Sequence, residues 1–260
     1  MDEPASADDE PVPDHWAALR RATRARIGLG RAGNAQPMAA ELAFRAAHAA
    51  ARDAVHEPLD VALVQEQLAD AGLDAAVQVA SRAQDRAEYL RRPDLGRLLD
   101  DDADATLDAA PREREVAVVL ADGLSPRAVT SHAVALIVEL LPALAPRTAA
   151  LVIATQARVG LGDHIGAWLD ARAVLVLIGE RPGLSASDSL GAYLTYAPRA
   201  GRSDAERNCV SNIRPPDGLG YTRAARILAG LVEQADAAGV SGVALKDRSA
   251  PDSAHLDALH

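Results

Sequence analysis

Three short runs constrain this chain more than anything else in it: EVAVVLADG (115–123), TAALVIATQ (148–156) and AVLVLIGE (173–180). Each is a continuous apolar stretch rich in Val, Leu and Ile, and each ends in a turn. The first two are followed by segments of helical pattern. A strand that is apolar on both faces must be covered on both, and helices between successive strands supply that cover. The runs therefore predict a parallel sheet sandwiched by helices.

The rest of the chain fits around that sheet. Residues 1–14 are acidic and proline-bearing and are expected to be a disordered tail. Residues 15–110 have a helical pattern: Asp14 caps HWAALRRATRARI, Asn34–Pro37 opens a long alanine-rich stretch, and Glu57-Pro58 closes it. LDVALVQEQLADAG follows with Gly72 at its end, and AQDRAEYLRRPDLGRLL reads as two short helical pieces broken at Pro93. The acidic cluster Asp100–Asp104 is expected to be a solvated connector. GAYLTYAPR and NCVSNI can add strands, and YTRAARILAGLVEQADAAG is an amphipathic closing helix ending at Gly239. The expected fold is α/β: a Rossmann-like, mostly parallel sheet domain over 111–250, preceded by the helical region, with a short tail at 251–260.

Composition narrows the function. The formal net charge of -10 argues against bulk affinity for nucleic acid or an anionic membrane. The basic residues are arginines except for Lys246. Cys209 is the only cysteine, which rules out an intrachain disulfide and a thiolate metal cluster. No uninterrupted apolar run approaches the ~20 residues that cross a bilayer, and the first residues resemble neither a secretory signal nor a transit peptide. A cytoplasmic protein is expected.

Gly28-Leu29-Gly30-Arg31-Ala32-Gly33 matches the dinucleotide fingerprint G-x-G-x-x-G letter for letter. That motif works only between a strand and a helix, whose N-terminus must face the pyrophosphate. Here the preceding segment is helical, so a glycine-rich connector is expected. Ser125-Pro126 follows the first strand without the flank of a nucleophile elbow and reads as a helix N-cap with proline at the first helical position. The histidines form no pair at metal-ligand spacing. His48 and His56 share a helix face with Arg52, read as a solvated face. His164, in Asp163-His164-Ile165-Gly166, reads as a helix N-terminal residue.

A positional signal is stronger. Ligands of open α/β sheets bind outside the carboxyl ends of the strands. Arg158 and Val159 follow the second strand and Glu180 and Arg181 the third, while Cys209 and Asn212 belong to the last candidate strand. These are expected to converge on one crevice.

The blocks ARIGLGRAG, YLRRPDLGRLL, VLADGLSPRAV, ARVGLGDHIG, VLIGERPGLSASDSLGAYLTYAPR and ERNCVSNI, in order over about residues 15–248, resemble the small (light) subunit of ethanolamine ammonia-lyase. The resemblance implies a subunit, inactive alone, of an adenosylcobalamin-dependent lyase converting ethanolamine to acetaldehyde and ammonia. A TIM-barrel large subunit carries the substrate and the radical chemistry, and the cofactor lies between the two chains of a hetero-oligomer. It implies corrin contacts at Val159, Glu180 and Cys209, no catalytic acid or base in this chain, and no metal ligand. The base-off signature Asp-x-His-x-x-Gly is absent, so the cofactor is expected to keep its own benzimidazole and His164 to leave cobalt alone. Relatives housed in bacterial microcompartments carry a longer N-terminal extension, which the acidic start here does not match.

Two other classes stay open on the residues alone. A nucleotide-binding Rossmann-like oxidoreductase would place glycines after VAVVLADG, where the chain has Asp122-Gly123-Leu124-Ser125-Pro126. A non-catalytic assembly protein would leave Glu180 and Cys209 without a ligand.

Overall fold

The computed structural model describes residues 14–108, 110 and 114–245; the two expected tails and Lys246 lie outside them, apart from Asp14. The chain divides into two compact units, the first ending at Ala49 and the second starting at Ala50.

In the first unit, α1 (Ala17–Ala22) is shorter than its sequence pattern and buries no residue. Arg20 pairs with Asp14 and donates to the Gly28 carbonyl at 2.6 Å. Residues 28–33 follow with no strand before them, and Gly28, Gly30 and Gly33 all have positive φ. The fingerprint is a connector. The helix α2 (Met38–His56) contains the division between the units, and its His48, Arg52 and His56 are exposed.

The second unit begins with α3 (Val61–Asp70), whose cap Asp60 accepts from the Leu63 N–H at 3.0 Å. Next comes β1 (Val77–Ala80), which corrects the all-helical reading of this region. It is four residues long with only Val79 buried, too short for its alternation to stand out from the alanines around it. Then come α4 (Arg86–Arg91), capped by Asp85, and a 3-10 turn at Leu95–Arg97 beyond Pro93. The acidic connector is also corrected in part, since it runs into α5 (Ala103–Leu107), which buries Ala103 and Leu107.

The apolar runs form β2 (Val116–Ala121), β3 (Ala149–Thr155) and β4 (Ala173–Gly179). Between β2 and β3 lies one helical run: α6 (Pro126–Ala128), a π turn at Val129–Ala133, and α7 (Val134–Leu144). Ser125 caps it, accepting from the Ala128 N–H at 3.3 Å. By length and composition this run could cross a membrane, but half of its apolar window is buried, because it packs on the sheet. Between β3 and β4 lies α8 (Leu161–Trp168). The last strands are β5 (Leu190–Tyr196) and β6 (Arg207–Ile213), and α9 (Tyr221–Ala238) ends at Gly239 in the left-handed conformation, φ 68°.

The six strands form one sheet in the order β1-β3-β2-β4-β5-β6. Pairings β1–β3, β3–β2 and β2–β4 are parallel, whereas β4–β5 and β5–β6 are antiparallel. The sheet is therefore mixed, more so than expected. Its antiparallel edge follows from chain length: about ten residues separate β4 from β5, and a parallel crossover needs a dozen or more.

Strand side chains alternate between two cores. Val116, Val118 and Leu120 of β2 face α3, α7 and α9, while Ala117, Val119 and Ala121 face α5 and α8. The β2–β3 and β3–β4 connections thus lie on opposite faces, which opens a crevice at the carboxyl end of β2. On the α8 face, Tyr193 of β5 is partly accessible and Cys209 of β6 is exposed.

Candidate functional site

The crevice rests on a close backbone crossing. The Leu124 N–H donates to the Gly179 carbonyl at 2.9 Å. A Cβ at Gly123 would lie 2.3 Å from that carbonyl oxygen, and Gly123 has φ +56°. A Cβ at Gly179 would lie 2.0 Å from the Ser125 carbonyl oxygen. Only glycine lets the turn after β2 touch the end of β4.

Beside this crossing is a cavity of about 430 Å³ whose wall includes Tyr89, Arg158, Val159, Glu180, Arg181 and Tyr193. Val159 and Glu180, two of the three site residues expected from sequence, are brought together here. Cys209 does not line the cavity. It sits one strand further out, opposite Tyr193 in the β5–β6 register and hydrogen-bonded to it. Burial, then that hydrogen bond, raises the Tyr193 phenol above the ordinary tyrosine value. Burial also raises the Cys209 thiol, so it is a neutral contact rather than a thiolate nucleophile.

Glu180 is tightly held. Its carboxylate accepts from Ser189 Oγ at 2.6 Å, from Ser211 Oγ, and from the Asn212 N–H at 3.2 Å. A carboxylate offers roughly four acceptor positions, so one remains for a ligand. The loop after Glu180 is anchored in turn. The Glu180 N–H donates to the Ser189 carbonyl at 2.9 Å, Gly183 N–H closes a turn on Ala186 at 2.7 Å, and Ser125 Oγ donates to the Ser187 carbonyl at 2.7 Å. Asp188 pairs with Arg214 and lies 3.5 Å from His132 Nε2, while His132 Nδ1 is 2.8 Å from Tyr221 Oη. The loop from Glu180 to Ser189 is thus fixed at several points.

Below the cavity lies a polar floor that the sequence reading missed. Asp122, 2% exposed, accepts from the Gln156 and Ala157 N–H groups, each at 2.8 Å, and from Arg86 Nη1 at 3.2 Å. Tyr89 donates to the Ala157 carbonyl at 3.0 Å. The guanidiniums of Arg86 and Arg158 lie 4.8 and 4.4 Å from the Tyr89 ring centroid, within cation–π range. One signal was available: Asp122 is a lone acid at the carboxyl end of an otherwise apolar strand, where α/β sheets gather functional groups. Tyr89 and Arg86 carried no such mark.

Asp163 and His164 have separate surroundings. Asp163 accepts both guanidinium arms of Arg207. His164 lines another hollow, with Arg82, Asp100 and Trp168. Among the described residues no cluster of three or more His, Cys, Asp or Glu is placed to hold a metal ion.

An α/β chain with a preformed cavity at the carboxyl ends of its strands is the class this geometry defines. A family model described as ethanolamine ammonia-lyase light chain (EutC) matches residues 13–246. Similar proteins include the ethanolamine ammonia-lyase small subunits of Rhodococcus erythropolis, 53% identical over 95% of both chains, and Bradyrhizobium diazoefficiens, 54% identical over 89% of this chain and 90% of that one. That of Azotobacter vinelandii is 48% identical over 96% of this chain and 94% of the relative. The chain belongs to the ethanolamine ammonia-lyase light chain family.

Proposed function

We propose that this chain is the cofactor-contacting subunit of an adenosylcobalamin-dependent ethanolamine ammonia-lyase. In this reading the cavity grips one edge of the corrin, and a barrel-bearing large subunit supplies the other wall and the substrate site. The observation that carries it is convergence: Val159 and Glu180 line one cavity, and Tyr193, the strand partner of Cys209, completes its wall.

The residues present fit such a group. A corrin edge is fringed with neutral amides, which need fixed acceptors and apolar surface. Glu180, pre-oriented by three donors, keeps an acceptor position for an amide N–H, a charge-assisted bond. Val159 and Leu124 supply apolar contact. Cavities of ~300–1,000 Å³ suit drug-sized ligands, so one of about 430 Å³ takes only an edge of a corrinoid and leaves the rest for a second surface. Orphaned polar atoms point the same way, because Arg158 Nε and Gln156 Oε1 are buried without a hydrogen-bond partner. When bound, the cofactor supplies a cobalt–carbon bond whose homolysis starts radical chemistry. The task of this chain is to position it and keep water from the corrin edge.

The test is to co-express the chain with its large subunit and assay ethanolamine deamination with and without adenosylcobalamin. Activity is expected only with both chains and the cofactor; failure to form a complex, or full activity from the large subunit alone, would overturn the reading. In the assembled complex, Glu180→Ala is expected to weaken cofactor affinity by roughly 1–3 kcal/mol, the cost of leaving donors unpaired. An unchanged apparent affinity would remove Glu180 from the site.

A further inference from the structure

The loop that follows Glu180 is held from outside the cavity. Two of its residues are tied to the helical run between β2 and β3. Ser125 Oγ donates to the Ser187 carbonyl at 2.7 Å, and His132 faces Asp188. His132 lies in the π turn of that run, a rare element that tends to occur at functional sites.

The ring is 7% exposed. Burial, then the charge of Asp188, raises the Tyr221 phenol above its ordinary value, so Tyr221 keeps its proton and donates it to His132 Nδ1 at 2.8 Å. His132 Nε2 is buried without a hydrogen-bond partner and stops 3.5 Å short of Asp188 Oδ2, beyond the usual length of such a bond. Asp188 already has a cation, because Arg214 pairs with it. Against partial burial, that bond to Arg214 holds the Asp188 carboxyl below its ordinary value, and it stays ionised wherever His132 titrates. Of the elements packed on the π turn, α3 presents the neutral Gln67, and β2, β4 and β5 present apolar core side chains. Arg127 of α6 is exposed and paired with Glu57, and Glu139 of α7 is exposed. The groups that face the ring are therefore Asp188, Arg214 and Tyr221.

We propose that His132 positions the Glu180–Ser189 loop as a latch, closed while its imidazole is neutral and released when a proton is added. A proton would place a second cation beside a carboxylate that Arg214 already answers, in a site with little water. Burial lowers the His132 imidazole below its ordinary value in spite of the pull of Asp188. The open loop, which gives the ring back to solvent, thus binds the proton more tightly than the closed one. The latch is complete above the ordinary imidazole value of about 6.5 and is lost as pH falls below it. Its bearing on the site rests on the cofactor reading above, since Glu180 opens this loop and its donor Ser189 closes it.

The test is hydrogen–deuterium exchange on the assembled two-subunit complex without cofactor, from about pH 8 to about pH 5, the range in which histidine titrates. Rates are corrected for the intrinsic pH dependence of amide exchange. Peptides covering residues 181–189 are expected to lose protection by roughly tenfold on acidification, the scale of one lost hydrogen-bonded contact. His132→Gln should flatten that profile, and Asp188→Asn should leave the loop poorly protected at every pH. Peptides from β2 and β3 report that each variant is folded. Asp122 titrates in the same range with the opposite sign, so the comparison with His132→Gln isolates the histidine. Protection that does not change with pH in the wild type, or an acid loss that persists in His132→Gln, would overturn the latch. Adenosylcobalamin affinity of the same complexes should fall with acid in the wild type and less in His132→Gln. A complex that binds no adenosylcobalamin at any pH would instead overturn the cofactor reading and leave the exchange result standing.

Discussion

Arg207→Ala is expected to destabilise the chain by about 3–5 kcal/mol, the scale for breaking a buried ion pair from one side. Arg207 opens β6 at 8% exposure and Asp163 stands in the first turn of α8 at 2%. The two guanidinium arms meet the two carboxylate oxygens at 2.6 and 2.7 Å. Arg207 also donates to Thr195 Oγ1 at 2.8 Å and to the Arg202 carbonyl at 3.0 Å. Truncating the arginine leaves the carboxylate of Asp163 buried, with only the α8 N-terminus to stabilise it. That penalty, not the loss of attraction as such, dominates the effect. The double variant Asp163→Leu with Arg207→Met is therefore expected to lose far less than the sum of the single truncations, because no charge stays buried. Urea melts of the single and double variants measure this, and additive losses would show that desolvation is not the governing cost. The pair ties α8 to the strand that carries Cys209 and Ser211.

Asp122→Asn is expected to alter how stability depends on pH. Burial, opposed by Arg86 and by backbone N–H groups, pushes the Asp122 carboxyl up to about 6, from an ordinary value of about 3.9. A carboxyl with a higher pKa in the fold than in the unfolded chain holds its proton more tightly when folded. Its stabilising contribution is complete below about pH 4 and is lost as pH rises through about 6. At about 1.4 kcal/mol per pKa unit, the loss amounts to roughly 3 kcal/mol. The variant has no such titration, so the difference in stability should move by that amount in its favour between about pH 4 and pH 7. Parallel stability curves would mean that Arg86 and the backbone donors fully offset burial. Above that window Asp122 is ionised, and it holds Arg86 beneath the ring on which Arg158 stacks.

Much of the fold was legible because burial leaves a local pattern. The runs at β2, β3 and β4 are apolar on both faces and could be little else, while Ser125 and Gly239 mark helix ends through chemistry confined to one turn. The antiparallel edge was readable too, from the shortness of the β4–β5 link, although orientation was not drawn from it. The strand β1 was not readable, since four residues among alanines carry no periodicity of their own. Of the candidate site, Val159 and Glu180 were legible because parallel strands send all their following loops to the same end of a sheet.

What the sequence by itself determined, then, is which segments are buried and which loops share the carboxyl end. Only the tertiary structure decided which charges meet there. Asp122 finds Arg86 across 36 residues, Arg207 finds Asp163 across 44, and Arg158 reaches Tyr89 across 69. A helix or strand pattern repeats within a few residues and records only whether a face is dry. The partner of a buried charge depends on strand order, on register and on the closeness of two backbones at Gly123 and Gly179, and none of these is a local property of the chain.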